Sequence, residues 1–203
     1  MNQDTFAFDA RTFVLDFSGQ KIKSLPKSVK SPKGELVTSE ILGAALIVTG
    51  CEQLTSLRGA PKRVATLRAK GCTALKSLVG GPEEVQGNVF LGESGVTSLE
   101  GLIKVKGVVN LIGCWELTSL HGIGVQHLKS CMMLHIPHTV DSHVLGLLLV
   151  DKLEDVLVHP EHASPKLNLA IKIVLKHLKK GQDGLIDCQH ELIDEGLEDF
   201  AEL

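Results

Sequence analysis

The chain has 203 residues, enough to bury a substantial core in one domain or in a repeat array with an added cap. Its net charge of -3 at pH 7 gives no bulk attraction for nucleic acid or anionic lipid, so we expect neither as a partner. Aromatic residues make up only 3% and tyrosine is absent, which argues against a base-stacking surface.

Cysteine usage and the shortness of the apolar runs bear on location. The most apolar run, residues 144–150, is far too short to span a bilayer, and the first residues lack the basic and apolar segments of a secretory signal. The five cysteines are odd in number, and three of them share one position of a repeat. Together these features predict a cytoplasmic protein with reduced thiols rather than a disulfide framework.

At the N-terminus, residues 5–9 alternate apolar and polar side chains, which indicates a short strand. Phe6 and Phe8 lie in this segment, and Phe13 follows it. Because the end of a repeat array would otherwise expose the core of its first coil, we expect these phenylalanines to form a cap. Residues 15–26 form a first, imperfect repeat copy, and residues 27–44 contain an insertion of about half a repeat.

Four segments in the middle of the chain repeat every 21 residues. The leucines that define this spacing each follow a serine, and glycines lie two residues after and seven residues before each of them. The four leucines are Leu57, Leu78, Leu99 and Leu120. A fixed period of this length predicts a solenoid, because each unit is too small to bury its own apolar face and must stack on its neighbours.

The clearest copy, residues 109–120, predicts the shape of one coil. Val109 and Leu111 alternate as in a short strand with two inward side chains, and the glycine after them predicts a turn. In three copies the turn holds a cysteine, namely Cys51, Cys72 and Cys114. Glu93 interrupts this column. A stacked pair of Cys51 and Cys72 could hold a soft metal, but the break in the column makes this the less favoured interpretation.

After about residue 139 the period changes to that of helices. A shortened copy at residues 128–134 ends the repeats. Asp141 and Ser142 are candidate N-cap residues for a helix that extends through Leu153, and the valine-rich run in this stretch leaves a strand as the alternative. We therefore divide the chain into a solenoid with an N-terminal cap strand at residues 1–140 and a helical cap at residues 141–203.

Two further helices are predicted near the C-terminus. Ser164 and Pro165 mark the start of the first, which has basic residues in its last turns and stops at Gly181. The second begins at Asp183 and carries eight carboxylates, with no lysine or arginine after Lys180. Because their charges are opposite, we expect these two helices to pack as a hairpin.

The repeat core resembles the leucine-rich repeat, whose consensus places leucines around an asparagine or cysteine turn. Residues 15–26 meet that consensus closely. The resemblance implies that the turn cysteines point inward and bond to the backbone of the neighbouring coil. The segments LTSLRGAPKRV (residues 54–64) and LKSLVGGPEEV (residues 75–85) resemble short repeats of the form LTSLxGAPxxV in bacteriophage, prophage and bacterial proteins. The expected fold is an α/β solenoid of leucine-rich-repeat-like, right-handed coils of about 21 residues with short parallel strands, followed by a C-terminal α-helical cap.

The resemblance implies a non-enzymatic module for protein–protein interaction, because leucine-rich repeats usually bind proteins on their strand face. It also implies a phage- or prophage-encoded inhibitor of a host or defence protein, with no cofactor, metal or catalytic residue. The partner-binding residues, taken from outward positions of consecutive coils, are Asp16, Thr49, Arg68, Lys70, Asn110, His127 and Lys129.

Three other interpretations compete with this one. Histidines cluster with a cysteine at residues 131–143 and 159–162, where the spacing allows a zinc site. Cys188 with nearby His190 could serve as a nucleophile, although positions two apart on a helix point in different directions. The acidic last helix could imitate nucleic-acid phosphates and so block a nucleic-acid-binding protein.

Overall fold

A parallel sheet with one short strand per coil forms the framework of the molecule. The computed structural model describes residues 7–9, 14–26, 28–30, 36–38, 44–158 and 162–203. The strands, in chain order, are β1 (Ala7–Asp9), β2 (Val14–Asp16), β3 (Ser28–Lys30), β4 (Leu36–Thr38), β5 (Ala45–Ile47), β6 (Arg63–Val64), β7 (Thr66–Arg68), β8 (Glu84–Val85), β9 (Val89–Phe90), β10 (Lys104–Val105), β11 (Val108–Asn110), β12 (Met133–Ile136) and β13 (Asp155–Val158).

The main sheet holds eight of these strands, in the order β1-β2-β5-β7-β9-β11-β12-β13. β1 runs antiparallel to β2, and all later neighbours are parallel. Parallel neighbours need a crossover connection, and here each crossover is the remainder of one coil. The result is a solenoid of about five turns, with coils of about 22 residues and a C-terminal helix, which confirms the predicted fold class.

Alternation along the strands puts one apolar side chain of every coil into the core. Leu46 on β5 pairs with Leu67 on β7, and the row continues through the following strands. Its later members are Val89, Val109, Leu134 and Val156. All are buried, and each buried leucine stabilises the fold by roughly 1.5–3 kcal/mol. The inward positions predicted for Val109 and Leu111 are confirmed.

A smaller parallel sheet, in the order β10-β8-β6, forms on another side of the coils. Ion pairs join equivalent positions of neighbouring coils beside it. Arg63 Nη2 lies 2.9 Å from Glu84 Oε2, and Lys62 Nζ lies 2.6 Å from Glu83 Oε1. Exposed pairs of this kind contribute about 0–1 kcal/mol each, so the coils are held together mainly by their apolar core.

The third full copy is shifted by one residue inside an unbroken 21-residue period. Val89 pairs with Leu67, 22 residues earlier, and with Val109, 20 residues later. The shift moves Glu93 into the left-handed turn position, with a φ of 61°, and moves Ser94 into the cysteine position. In the other coils the left-handed turn residue is glycine, at Gly19, Gly50, Gly71 and Gly113.

Replacing Glu93 with glycine is expected to raise the free energy of unfolding by about 1 kcal/mol. A left-handed backbone strains a residue that has a Cβ by roughly 1–2 kcal/mol, and glycine removes that strain. The change also removes the exposed ion pair between Lys70 Nζ and Glu93 Oε1 at 3.2 Å, which offsets only ~0.5 kcal/mol. Urea unfolding followed by circular dichroism measures the difference, and a less stable Glu93→Gly protein would contradict the assignment of a strained turn.

The N-terminal edge of the sheet carries the predicted extra strand. β1 pairs with β2, with Phe8 opposite Leu15, while Phe6 and Phe13 lie outside the described residues. The insertion predicted within residues 27–44 contains an antiparallel pair formed by β3 and β4. The strand is therefore confirmed, and the capping role of the phenylalanine side chains stays a prediction.

The solenoid continues beyond the predicted last copy. The strand of that coil is β12 rather than a segment around Leu128, and β13 adds a further parallel strand. The sheet thus crosses the division proposed at residue 140. The helix predicted to extend through Leu153 was wrong in extent, because only Leu145–Leu149 is helical there, as a 3-10 segment. The apolar residues of this stretch pack into the core before the chain returns to the sheet as β13.

Two α-helices follow the last coil. α1 (Pro165–His177) begins after Ser164, whose Oγ accepts a hydrogen bond from Leu167 N at 3.1 Å, as the Ser-Pro pair predicts. A 3-10 segment at Leu178–Gly184 turns the chain, and α2 (Leu185–Asp194) follows. The helical cap predicted from the caps and apolar spacing is confirmed for this part of the chain.

Candidate functional site

The outward side chains of the main sheet form one row across its seven parallel strands. The register pairs them strand by strand, from β2 to β13. The row consists of Asp16, Ile47, Arg68, Phe90, Asn110, His135 and Leu157. Thr49, Lys70 and Ile112 lie two residues after the row, just past the ends of β5, β7 and β11. We call these ten residues the sheet face.

Local contacts hold the side chains of the sheet face in place. The guanidinium carbon of Arg68 lies 5.2 Å from the centre of the Phe90 ring, a cation–π contact between adjacent strands. Asp16 Oδ1 accepts hydrogen bonds of 2.8 and 2.6 Å from the backbone and hydroxyl of the serine two positions later. Asn110 Oδ1 accepts one of 3.0 Å from Ile112 N. Such preorganisation reduces the entropy that is lost when a partner binds.

Most of the residues predicted to bind a partner lie on the sheet face. They are Asp16, Thr49, Arg68, Lys70 and Asn110. The placement of the other two on the strand face was wrong. His127 belongs to a loop bridged to Ile123, and Lys129 N donates to Ile103 O at 2.8 Å beside β10. The strand of their coil begins later, so His135 takes the outward position instead.

Exposed apolar side chains lie on the sheet face and beside it after β11. Ile112 is 43% exposed and Trp115 is 56% exposed. The Trp115 ring contacts the His138 ring of the next coil, with centroids 5.1 Å apart, and His138 in turn lies 5.5 Å from His162. A tryptophan this exposed, next to other apolar surface, is typical of a protein-binding site.

The cysteine column of the repeats has a structural role. Each of its three thiols donates a hydrogen bond of 2.9–3.1 Å to a backbone carbonyl of the preceding coil, as predicted. Cys72 Sγ, for example, contacts Val48 O at 3.0 Å. Ser94 fills the position that Glu93 seemed to interrupt, and its Oγ lies 3.5 Å from Cys114 Sγ.

Burial raises the pKa of the thiols and so disfavours the thiolate that a nucleophile or a metal ligand needs. The pKa of Cys72 and of Cys131 rises to about 12. Burial, with a smaller effect of the Glu191 carboxylate, raises the pKa of Cys188 to about 11, and Lys176 partly opposes this. The net effect of this environment is to disfavour the thiolate that a nucleophilic Cys188 would need.

The five cysteines are expected to react with Ellman's reagent only when the protein unfolds. All five thiols are free and buried, and burial raises the pKa of each. The measurement compares labelling of the native protein at mildly alkaline pH with labelling in guanidinium chloride. Rapid native labelling of one thiol, above all Cys188, would contradict this and revive the nucleophile hypothesis.

The histidine-rich region splits into separate contacts. His143 Nδ1 lies 2.9 Å from Ser119 Oγ, and its Nε2 lies 3.3 Å from Glu202 Oε2, so this ring joins a repeat to the C-terminal segment. His138 instead contacts the exposed tryptophan ring. Among the described residues, no three His, Cys, Asp or Glu side chains are placed to hold one metal ion. His159, which belongs to the predicted cluster, lies outside those residues.

The carboxylates of α2 pair with basic residues at the end of α1 and in the 3-10 segment that follows it. Lys176 Nζ and His177 Nε2 lie 2.7 and 2.8 Å from Glu191 Oε2, and their hydrogen bonds lower the pKa of Glu191. Lys180 Nζ lies 3.1 Å from Asp187 Oδ2 and lowers the pKa of that carboxyl. The predicted hairpin of oppositely charged helices is confirmed, and these pairs neutralise part of the acidic surface.

Glu191→Ala is expected to lower the free energy of unfolding by about 2 kcal/mol. His177 is buried, and within the described part of the chain its Nδ1 has no hydrogen-bond partner. Removing Glu191 leaves Nε2 without its partner as well, which costs about 1–3 kcal/mol. Asp187→Ala, which breaks an exposed pair, is the matched control and should cost much less, because solvent screens that pair. Equal losses in the two variants would contradict the role given to Glu191.

The same pair predicts a pH dependence. Folding lowers the pKa of Glu191, so its contribution is present above the ordinary carboxyl pKa and is lost as pH falls through the lowered value. The stability gap between the native protein and Glu191→Ala should therefore shrink below about pH 4 in urea unfolding curves. A gap that widens on acidification would contradict this assignment.

These observations leave the sheet face as the best candidate for a binding surface in the described part of the chain. No helix in that part is both long enough and apolar enough to cross a membrane. Comparisons with models of known protein families, with curated proteins and with solved structures found no match, so the candidate site rests on its geometry.

Proposed function

We propose that this protein is a non-enzymatic module that binds a protein partner on its sheet face. The proposal is carried by the row of side chains aligned in register across seven parallel strands. Six steps of ~4.8 Å between strands make this row about 29 Å long. That length matches the edge of a square patch of about 800 Å², the area that each partner buries in a standard protein interface.

The chemistry of the face suits a protein rather than a polyanion. Its apolar members, such as Ile47 and Phe90, alternate along the row with Asp16, Arg68 and uncharged polar groups. Of the two cations on the face, Lys70 already pairs with a neighbouring carboxylate. A nucleic-acid groove would need a contiguous series of unpaired cations.

We extend the proposal to a cytoplasmic inhibitor, encoded by a phage or prophage, that acts on a host or defence protein. The resemblance of residues 54–64 and 75–85 to LTSLxGAPxxV repeats of phage, prophage and bacterial proteins supports this source. Five free, buried thiols are consistent with a reducing compartment.

Affinity capture from a bacterial lysate tests the proposal when three baits are compared. The native protein and a Lys129→Glu variant should retain the same partner, because Lys129 lies off the sheet face. A bait with Arg68→Glu and Lys70→Glu should lose it, since reversing both charges places like charges opposite each other across the interface, which costs several kcal/mol. Equal retention by all three baits would exclude the sheet face as the main binding surface.

A further inference from the structure

A groove beside the smaller sheet collects positive charge that the protein-binding proposal does not use. It has a volume of about 510 Å³, within the usual range for small-molecule sites. Its charged lining consists of Arg63, Glu84, Lys104, Lys106 and Lys152. Four cations and one carboxylate give this lining a net charge of +3, in a chain whose total is -3.

Three of these cations are available to a ligand. Glu84, the one carboxylate of the lining, forms an ion pair with Arg63, whose Nη2 lies 2.9 Å from Glu84 Oε2. Within the described residues, Lys104, Lys106 and Lys152 make no ion pair, and all three side chains are exposed. Holding three unpaired ammonium groups around one groove is unfavourable unless an anion or solvent screens them.

The backbone sets the relative positions of these three lysines around the groove. Lys104 lies on β10, and Lys106 lies in the bend that follows, where its backbone N donates to Val85 O of the preceding coil at 3.0 Å. Both lysines line the groove. The chain bridges Lys104 to Ser130 and Ser130 to Asp151, which places Lys152 about two strand spacings, or ~10 Å, from Lys104. The Ser130 and Gln86 side chains add neutral polar groups to the lining.

We propose that this groove binds a compact oligophosphate, a small anion with several phosphate groups in a chain. One phosphate could contact all three lysines only if their ammonium groups converged and repelled one another. A ligand with phosphates along its length can meet each lysine separately through a charge-assisted hydrogen bond. The lining lacks aromatic rings, so nothing in it favours a nucleobase.

Calorimetric titration of the full chain with inorganic tripolyphosphate tests this site. Saturable 1:1 binding in the micromolar range at low salt is expected, with weaker binding of orthophosphate and a loss of affinity at high salt. Lys104→Gln with Lys106→Gln should weaken tripolyphosphate binding about tenfold or more, since it removes two charge-assisted contacts.

The matched control is Lys21→Gln with Lys23→Gln, which removes two exposed lysines of the same spacing from the first coil. This control should bind tripolyphosphate as the native protein does, and both double variants should keep the native melting temperature. Absence of binding, equal weakening by the two double variants, or equal affinity for an oligoglutamate peptide would each overturn the proposal. The last result would show attraction for any polyanion rather than a phosphate site.

Discussion

Gly101→Ala is expected to lower the free energy of unfolding by about 3 kcal/mol. Gly101 has a φ of 97°, and a Cβ there would lie 2.6 Å from the backbone C and O of Leu78 and from Val79 N. Those atoms belong to the preceding coil and cannot rotate away, so the methyl group forces the coils apart. Left-handed strain and overpacking each add about 1–3 kcal/mol.

Two glycines of the same column provide internal controls for Gly101. A Cβ at Gly80 meets chiefly the flexible Arg58 side chain, and one at Gly59 lies no closer than 3.5 Å to any atom outside its neighbourhood. All three have φ between 82° and 97°, so the backbone strain is similar and only the contact differs. Urea unfolding should rank the losses Gly59→Ala, Gly80→Ala, Gly101→Ala in rising order. Equal losses would contradict the close stacking of these coils.

Trp115→Ala is expected to weaken binding of the captured partner about 30-fold or more, with the fold unchanged. Trp115 is 56% exposed, and the ring contact recorded for it is with His138. Free energy at interfaces concentrates in such aromatic side chains, where truncation often costs 2 kcal/mol or more. Titration of the purified partner measures the affinity.

Ile186→Ala is the matched control for Trp115. Ile186 is also an exposed apolar residue, 65% accessible, but it lies on α2 rather than beside the sheet face. Its truncation should leave the affinity within about twofold of the native value. If the two variants bind alike, the apolar border of the sheet face takes no part in binding.

The repeat period predicted the architecture because contacts in a solenoid are local in sequence. Each coil contacts only its neighbours, so residues 21 positions apart in the sequence occupy equivalent places on adjacent coils. The inward positions of Val109 and Leu111 follow from the repeat and are confirmed. The inward thiol of Cys72 is also confirmed, but it was expected from the resemblance to leucine-rich repeats. Five residues of the sheet face follow from the repeat too.

The shift of the third coil could not be read from the period. Compared with the preceding copy, this coil has one more residue between Val85 and Val89 and one fewer between Ser94 and Val96. The two changes cancel, so the residues before and after them keep the 21-residue spacing. The available signal was the alternating pair Val89 and Leu91, which identifies the strand without using the period. Because this strand was not recognised from the sequence, Phe90 was not among the residues predicted to face outward.

The last two strands were missed because they lack the glycine and cysteine turn that marks the other coils. β12 follows a segment whose leucine at residue 128 imitates a strand position, and Pro137 stands near the place of the usual turn. In β13 only Val156 is fully buried, and a leucine-rich 3-10 segment, flanked by valines, precedes this strand and resembles a helix in sequence. In contrast, α1 was predictable because Ser164 and Pro165 fix its start locally.

Site-specific photo-crosslinking decides whether the sheet face holds the partner. A benzophenone amino acid is placed at Phe90 on the face or at Gln126, an exposed loop residue off it, and each protein is irradiated with the captured partner. Protein binding on the sheet face predicts a covalent adduct from position 90 and none from position 126. An adduct from position 126 alone would contradict it.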